Sequence, residues 1–132
     1  MTDALKLSGT LLVVDDEPKI RSLLRDFFQL KGLRVVTAGS GEEAVGALNE
    51  CPVLVLLDVN MPGMDGVATL KQIKVRHATL PVVMMSGKGD EAAAREALTC
   101  GAYDYISKPV DLAYLETVVL TKVLLGMEEV EG

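Results

Sequence analysis

The stretch LLVVDDEPKI, residues 11–20, places two adjacent acids directly after an apolar run. The apolar part, residues 11–14, predicts a buried strand because no polar residue interrupts it. Asp15 and Asp16 therefore stand at the mouth of a core element, where water screens their mutual repulsion poorly. Two explanations are open: the acids cap a helix that begins near Pro18, or a positive group lies between them.

Apolar runs rich in β-branched residues recur along the whole chain. They are TLLVVD (10–15), LRVVTA (33–38), VLVLLD (53–58), PVVMMS (81–86) and AYDYIS (102–107). Several of these runs lack polar alternation, which is typical of parallel strands whose two faces are both covered by helices. The runs therefore predict the strands of one parallel sheet.

The segments between the runs have the periodicity and the capping signals of helices. Residues 18–31 present one broad apolar face, which predicts an amphipathic helix. Ser40 and Glu43 have the spacing of a capping box, and we expect Asp90 and Asp111 to cap the fourth and fifth helices. DGVATLKQIKVRH provides the third helix, after the third strand.

The resulting pattern is a strand followed by a helix, five times over. Because crossovers between parallel strands are right-handed, this pattern predicts an α/β, doubly wound, flavodoxin-like fold. Five strands favour the sheet order 2-1-3-4-5. The length of 132 residues suits one domain, and we expect its core to span roughly residues 9–127.

The composition excludes several classes of partner. The net charge is −6 and the isoelectric point is near 4.7, so we expect no direct binding to nucleic acid or to an anionic membrane. No apolar run approaches the roughly 20 residues of a membrane span, and the N-terminus does not have the pattern of a signal peptide. We therefore expect a soluble, cytoplasmic protein, in which Cys51 and Cys100 are small semi-buried residues at helix ends and form no disulfide.

Reactive side chains lie at the ends of four predicted strands. Asp15 and Asp16 follow the first strand, Asp58 ends the third, Ser86 ends the fourth and Lys108 follows the fifth. Carboxyl ends of parallel strands meet at one edge of the sheet, where such folds bind their ligands. With strands 1 and 3 as neighbours, the three carboxylates converge, and Ser86 and Lys108 lie on the far side of the same pocket.

Three carboxylates in one crevice need a compensating positive charge. Mg²⁺ binds carboxylates together with water and phosphate oxygens, and Lys108 supplies a second positive charge. An anionic group held between a metal ion and an ammonium group is what phosphoryl transfer requires. Taken singly, the acids are explained as helix caps, Ser86 as a turn residue and Lys108 as a solvated lysine, but their joint placement favours a site.

Four motifs occur in order, VVDDEP, LLDVNMPGMDG, MMSGKG and YISKPV, and with them the sequence resembles the receiver domain of two-component response regulators. The resemblance implies that Asp58 is the phosphoacceptor. It implies a Mg²⁺ site organised by Asp15 and Asp16, in which Asp16 and Asp58 are direct ligands and the backbone carbonyl of Asn60 completes the protein ligands. Lys108 would pair with Asp58 and then with the phosphoryl group.

The resemblance also implies a switch and a set of partners. Ser86 would donate its hydroxyl to a phosphoryl oxygen, the ring of Tyr105 would follow Ser86, and the bond between Lys108 and Pro109 would be cis. The donor would be a sensor histidine kinase, a phosphotransfer protein or a small phosphodonor. Phosphorylation would alter the surface of helix 4, strand 5 and helix 5, which would contact a second copy or an output domain. The domain would catalyse only its own phosphorylation and dephosphorylation.

Three other functions remain as alternatives. A phosphatase of the haloacid dehalogenase class needs a second acid two residues after its nucleophile, where this chain has Asn60. A flavodoxin needs a phosphate-binding loop rich in Ser and Thr after strand 1, where this chain has DDEPK. An inactive interaction module of the same fold would differ in taking up no phosphoryl group.

The last predicted helix carries more apolar residues than one buried face requires. We expect Leu112, Leu115, Val119, Val123 and Gly126 to form the face that packs on the sheet. Leu120 and Leu124 lie outside this face and one turn apart, so they predict either two ordinary exposed leucines or an apolar stripe for a partner.

Overall fold

Five parallel strands form one sheet in the computed structural model, which describes residues 8–131, with side chains as far as Leu125. The strands are β1 (Thr10–Val14), β2 (Arg34–Ala38), β3 (Leu54–Asp58), β4 (Val82–Ser86) and β5 (Asp104–Ser107). Their order is β2-β1-β3-β4-β5, which confirms the predicted topology. The predicted runs begin or end one or two residues outside these strands.

The helices are α1 (Pro18–Gln29), α2 (Gly41–Gly46), α3 (Gly66–Arg76), α4 (Glu91–Thr99) and α5 (Leu112–Glu131). A short 3-10 helix, Ala47–Glu50, follows α2. Leu11 and Val13 of β1 pack with side chains of α1 and α5, whereas Leu12 and Val14 pack with α2, α3 and α4. Successive strand residues point to opposite faces, so the sheet has a hydrophobic core on each side.

Strands β3 and β4 are buried along their whole length. All five residues of β3 and all five of β4 are inaccessible or nearly so. Helices on both faces remove these strands from water, which is why their sequences lack polar alternation. Polar groups at the ends of these strands are therefore held in place by packed neighbours.

Two predicted caps differ in detail. Ser40 Oγ accepts a hydrogen bond from the Glu43 N–H at 3.1 Å, as a capping box requires. Glu43 does not return to Ser40, because its Oε1 accepts from the N–H of Gly39, one residue earlier, at 2.7 Å. Asp90 precedes α4, but its Oδ2 accepts from the Gly87 N–H at 3.1 Å, so the prediction that Asp90 caps the helix is wrong.

The start of α5 agrees with the prediction. Asp111 Oδ1 accepts hydrogen bonds from the N–H groups of Ala113 and Tyr114, at 3.0 and 3.2 Å. These two donors have no partner within the helix, so the carboxylate satisfies groups that would otherwise be left to water. Asp111 is therefore the N-cap of α5.

The buried face of α5 is largely the predicted one. Leu115, Val119 and Val123 are buried, and Leu112 is half-buried. The side chain of Gly126 lies outside the described part. Leu120 was predicted to lie outside the buried face, and this prediction is wrong. Its side chain is half-buried and packs on the core that α1 and α5 form with one face of the sheet. Exposed leucines do occur farther along, where Leu124 and Leu125 are 40% and 44% accessible.

The two cysteines are free, and each follows a helix end. Cys100 is half-buried, as expected, whereas Cys51 is exposed and adopts a left-handed backbone conformation with φ 57°. This conformation ends the 3-10 helix and turns the chain outward, so the expectation of a semi-buried thiol is wrong for Cys51. No helix in the described residues has both the length and the apolar character of a membrane span.

Candidate functional site

Three carboxylates meet at the carboxyl ends of β1 and β3. The two strands are paired, with Val14 opposite Leu57, so Asp15 and Asp58 emerge side by side. Carboxylate oxygens of Asp15, Asp16 and Asp58 all lie within 4.8 Å of one another. Asp15 and Asp58 are buried, whereas Asp16 is exposed. The cluster therefore has two fixed acids and one that faces solvent.

Lys108 provides the positive charge of this cluster. Its Nζ lies 2.8 Å from Asp15 Oδ2, 3.3 Å from Asp58 Oδ2 and 3.6 Å from Glu17 Oε1. Its backbone N–H donates to the carbonyl of Ser86 at 2.7 Å, which joins the ends of β4 and β5. The peptide bond between Lys108 and Pro109 is cis. The lysine thus lies among the acids, and its contacts with Asp15 and Glu17 were not predicted from the sequence.

Asp15 is held by both its side chain and its backbone. Its Oδ1 accepts from the Glu17 N–H at 2.9 Å, and its own N–H donates to the carbonyl of Ala38 at 3.1 Å. Arg21 Nη1 donates to the Asp15 carbonyl at 2.5 Å. Helix α1 has Glu17 at its N-cap position and no side-chain cap. The alternative in which Asp15 and Asp16 cap this helix is therefore wrong.

Asp58 is held by the turn that follows β3. Its Oδ1 accepts from the Asn60 N–H at 3.2 Å. The cap of α3 is Asp65, whose Oδ1 accepts from the Ala68 N–H at 2.8 Å, so Asp58 is not needed as a cap. This leaves the Asp58 carboxylate available for a function in the cluster.

Gly66 allows α3 to begin directly against the backbone of Asp58. The Gly66 N–H donates to the Val59 carbonyl at 2.9 Å. A Cβ at this position would lie 2.3 Å from the carbonyl oxygen of Asp58 and 2.6 Å from the Cα of Val59. These are backbone atoms and cannot rotate away, so the close approach requires glycine.

The sequence matches the family described as response regulator receiver domain over residues 11–120. The chain belongs to this family. Receiver domains of two-component regulators are signalling modules rather than a family of enzymes, and the acidic cluster with Lys108 is the pocket of phosphoaccepting regulators. The haloacid dehalogenase and flavodoxin alternatives are thereby excluded.

Two bacterial regulators contain a segment that is similar to this chain. The DNA-binding transcriptional regulator NtrC of Salmonella typhimurium is 45% identical over 105 residues, which are 79% of this chain and 22% of that protein. The regulatory protein AtoC of Escherichia coli is 38% identical over 110 residues, 83% of this chain and 24% of that protein. The chain thus spans less than a quarter of the length of these relatives.

Solved receiver domains have the same fold. The receiver domain of NtrX from Brucella abortus is 40% identical with a TM-score of 0.81, covering 86% of this chain and 97% of that one. A longer NtrX structure in complex with ADP superposes with a TM-score of 0.87 at 38% identity, covering 95% of this chain and 29% of that chain.

The environment of Asp58 in this receiver favours its neutral form. Burial, and then the charge of Asp15, raise the pKa of Asp58 from 3.8 to about 7, against the opposing effect of Lys108 and the Asn60 N–H. Burial lowers the pKa of Lys108, but its hydrogen bond with Asp15 and the charges of Asp15 and Asp58 outweigh that effect and raise it. The pocket therefore holds a charged lysine beside the Asp58 carboxyl group, which is partly protonated near neutral pH.

Ser86 and Tyr105 lie on the neighbouring strands β4 and β5. Ser86 ends β4 and is buried, with 1% of its surface accessible. Tyr105 lies on β5, is half-buried and packs against the core on the side of α2, α3 and α4. Asn60 is exposed beside the acids. These are the positions that the sequence analysis assigned to a switch and to a metal ligand.

The donor set of the pocket suits a hard divalent cation. Oxygen is the ligand atom in all three converging side chains, and two of these are fixed by hydrogen bonds. Mg²⁺ prefers such oxygen ligands and retains several waters. The exposed side of Asp16 leaves room for those waters, so the residues present fit this ion.

Proposed function

We propose that Asp58 accepts a phosphoryl group from a sensor histidine kinase or a phosphotransfer protein, with Mg²⁺ as cofactor, and that the modified receiver changes its α4–β5–α5 surface. The observation that carries this proposal is the position of the Lys108 ammonium group between Asp15 and Asp58, within a cluster of three carboxylates. Such a cluster is suited to holding an anionic group between two positive charges.

The contacts support Asp58 rather than Asp15 as the proposed nucleophile. Both oxygens of Asp15 have short partners, the Glu17 N–H at 2.9 Å and Lys108 at 2.8 Å. The oxygens of Asp58 have longer contacts, 3.2 Å to the Asn60 N–H and 3.3 Å to Lys108. Asp58 therefore loses less when one oxygen forms a new bond.

Four residues are the proposed metal-binding set. Asp16 and Asp58 would be direct ligands, Asp15 would organise the site through its fixed carboxylate, and Asn60 would contribute its backbone carbonyl. When bound, Mg²⁺ neutralises charge on the phosphoryl oxygens during transfer. Asn60 remains beside the cluster through its N–H bond to Asp58.

The proposed reaction forms one bond and breaks one bond at phosphorus. An oxygen of the Asp58 carboxylate attacks the phosphorus of a phosphohistidine, and the bond between phosphorus and the imidazole nitrogen breaks, with its electron pair remaining on that nitrogen. The product is an acyl phosphate. The Lys108 ammonium group already contacts Asp58 Oδ2. It would therefore form an ion pair with the phosphoryl oxygens once the negative charge has moved to them.

The proposed switch acts through Ser86 and Tyr105. The Ser86 hydroxyl would donate to a phosphoryl oxygen, and the Tyr105 ring would turn inward toward the space that is vacated. Tyr105 is already half-buried against the core beside α4, so its movement would reach that helix. Exposed apolar side chains of this part of the chain are Leu98 on α4, Tyr103 just before β5 and Tyr114 on α5, and they would offer contacts to a second copy or to an output domain.

Three statements from the sequence analysis stay predictions. These are the single domain over residues 1–132, the cytoplasmic location and the lack of direct binding to nucleic acid or membrane. The family implies histidine kinases as partners, and the identity of the kinase and of the output is open to experiment.

Intact mass measurement tests the proposal. The protein is incubated with acetyl phosphate and Mg²⁺, and a gain of one phosphoryl group is expected in the parent and in Asp26→Asn. Asp26 is an exposed acid on α1 whose recorded partner is Arg25, so it controls for loss of a surface carboxylate. Asp58→Asn is expected to gain no mass, and an undiminished gain in this variant contradicts the assignment. A parent that gains no mass points to the inactive interaction module.

A further inference from the structure

Arg21 contacts the backbone of the acidic pocket without entering it. It lies in the first turns of α1 and is half-buried. Its Nη1 donates to the carbonyl of Asp15 at 2.5 Å, and its backbone N–H donates to the carbonyl of Glu17 at 3.1 Å. Arg21 therefore contacts both ends of the segment 15–17, which carries the acids.

Gly39 supports the guanidinium from the other side. A Cβ on Gly39 would lie 3.0 Å from Arg21 Nη1 and 3.4 Å from its Cζ, so the side chain lies directly against this glycine. The N–H of Gly39 is in turn bound to Glu43 Oε1 at 2.7 Å. The guanidinium thus lies between the turn after β2 and the Asp15 carbonyl.

The contact completes the set of bonds that fix Asp15. The carboxylate is bound by the Glu17 N–H and by Lys108, and the backbone N–H is bound to Ala38. Arg21 binds the remaining backbone group, the carbonyl. Within the described part of the chain, no carboxylate oxygen lies within 4.0 Å of the Arg21 guanidinium, so its recorded partner is this carbonyl rather than an acid.

We infer that Arg21 is a positioning residue that fixes the Asp15 segment and thereby raises the affinity of the acidic pocket for a divalent cation. The inference rests on the proposed Mg²⁺ site. The positioning effect and the charge effect have opposite signs, because a permanent positive charge near the pocket repels a cation. Residues that orient metal ligands typically contribute tenfold or more to metal affinity, whereas a screened charge outside the site contributes less than about twofold.

Calorimetric titration with Mg²⁺ separates the two effects. Arg21→Met removes both the contact and the charge, and we expect the Kd for Mg²⁺ to rise about tenfold. Arg21→Lys keeps the charge and a donor, and we expect partial recovery. Arg25→Met removes the same charge one turn farther along α1, where the partner is Asp26 at 3.2 Å, and we expect a change of less than about twofold.

Gly39→Ala perturbs the contact without changing any charge. The backbone of Gly39 is outside the left-handed region, so alanine is conformationally allowed, and its Cβ, 3.0 Å from Arg21 Nη1, would push the guanidinium by a few tenths of an ångström. We expect weaker Mg²⁺ binding than in the parent. Denaturant unfolding in EDTA shows whether Arg21→Met folds. If it does not, the Kd values of Gly39→Ala and Arg21→Lys for Mg²⁺ test the inference instead.

A spectroscopic readout supplements the affinities. The N–H of Asp16 belongs to the same peptide group as the Asp15 carbonyl, so its ¹⁵N shift reports the bond from Arg21. We expect this shift to change in Arg21→Met and in Gly39→Ala but not in Arg25→Met. Binding of Mg²⁺ by Arg21→Met as tight as in the parent, or tighter, overturns the inference alone. A parent that binds no Mg²⁺ overturns the proposed metal site and this inference together.

Discussion

The Lys108 ammonium group lies closer to Asp15 than to Asp58, at 2.8 Å against 3.3 Å. The lysine is therefore bound principally to the acid that is not proposed to react. Asp15 keeps Lys108 in the pocket. In the proposed reaction, the longer contact would let Lys108 exchange the Asp58 carboxylate for a phosphoryl oxygen while it stays bound to Asp15.

Lys108→Ala is expected to destabilise the protein strongly in EDTA. The substitution leaves the fully buried Asp15 carboxylate without its cation, and breaking a buried pair in this way costs about 3–5 kcal/mol. Lys71→Ala is the control, because its partner Glu96 is exposed at 3.9 Å and such surface pairs contribute about 0–1 kcal/mol. Urea unfolding measures both values. Equal losses in the two variants contradict a structural role for the Lys108–Asp15 pair.

Stability of the metal-free protein is expected to depend on Asp58 between about pH 4 and pH 7. The pKa of Asp58 is raised from 3.8 to about 7 in the fold. A carboxyl with a raised pKa contributes stability that is fully present below the unfolded pKa and is lost as the pH rises through the folded pKa.

Asp58→Asn removes this titration. Relative to the parent, its free energy of unfolding in EDTA should rise with pH by on the order of 4 kcal/mol over that range. Denaturant unfolding at several pH values measures the difference. A difference that stays constant with pH contradicts a raised pKa.

Mg²⁺ is expected to raise the melting temperature of the parent. A ligand bound to the folded state alone contributes about 1.4 kcal/mol at ten times its Kd. Asp16→Asn should reduce this rise because it removes a proposed direct ligand, whereas the exposed Asp26→Asn should not. Melting curves in EDTA and in Mg²⁺ provide the measurement, and an unchanged response of Asp16→Asn argues against Asp16 as a ligand.

Gly66→Ala is expected to reduce both stability and phosphorylation. The new Cβ would lie 2.3 Å from the Asp58 carbonyl oxygen, so α3 or the end of β3 must move, at a cost of about 2 kcal/mol or more. Gly46→Ala is a matched control in a helix, because nothing lies within 4 Å of its Cβ, and we expect a gain of about 0.5–1 kcal/mol. Similar effects of the two substitutions contradict the close approach.

The beryllofluoride–Mg²⁺ form, which mimics phosphorylated Asp58, is expected to self-associate more than the untreated protein. Leu124 and Leu125 are exposed on α5 and supply apolar contact area. The Leu124→Glu, Leu125→Glu double variant should lose the response while still gaining one phosphoryl group. Light scattering after size exclusion measures it. A mimic form that stays monomeric at high concentration rules out a dimer formed through these leucines.

The strand order and the acidic cluster were predictable because each followed from a strong local signal. Apolar runs without polar alternation predicted parallel strands covered on both faces, and the strand order then placed Asp15 beside Asp58. The contact between Lys108 and Asp15 was harder to predict, since sequence position shows only that both residues reach one edge. Which carboxylate receives the shorter bond depends on packing.

The errors occurred where two local partners compete. The Glu43 carboxylate was expected to accept a hydrogen bond from the N–H of Ser40, the cap residue of α2. It accepts instead from the N–H of the preceding residue, Gly39. Asp90 was expected to cap α4 but closes the turn at Gly87. Leu120 was predicted to be exposed from its angular position around α5 alone. It packs on a core to which the neighbouring helix α1 also contributes. Periodicity within one helix cannot show how far its neighbours reach.

The pairing of Lys108 with Asp15 joins residues that are 93 positions apart. A ribosome delivers the acids of β1 and β3 long before it delivers the lysine that neutralises them. Until β5 adds to the edge of the sheet, the nascent chain therefore carries unbalanced negative charge at the mouth of its core. The Lys108–Asp15 pair therefore forms only when β5, the last strand of the chain, has reached its place at the edge of the sheet.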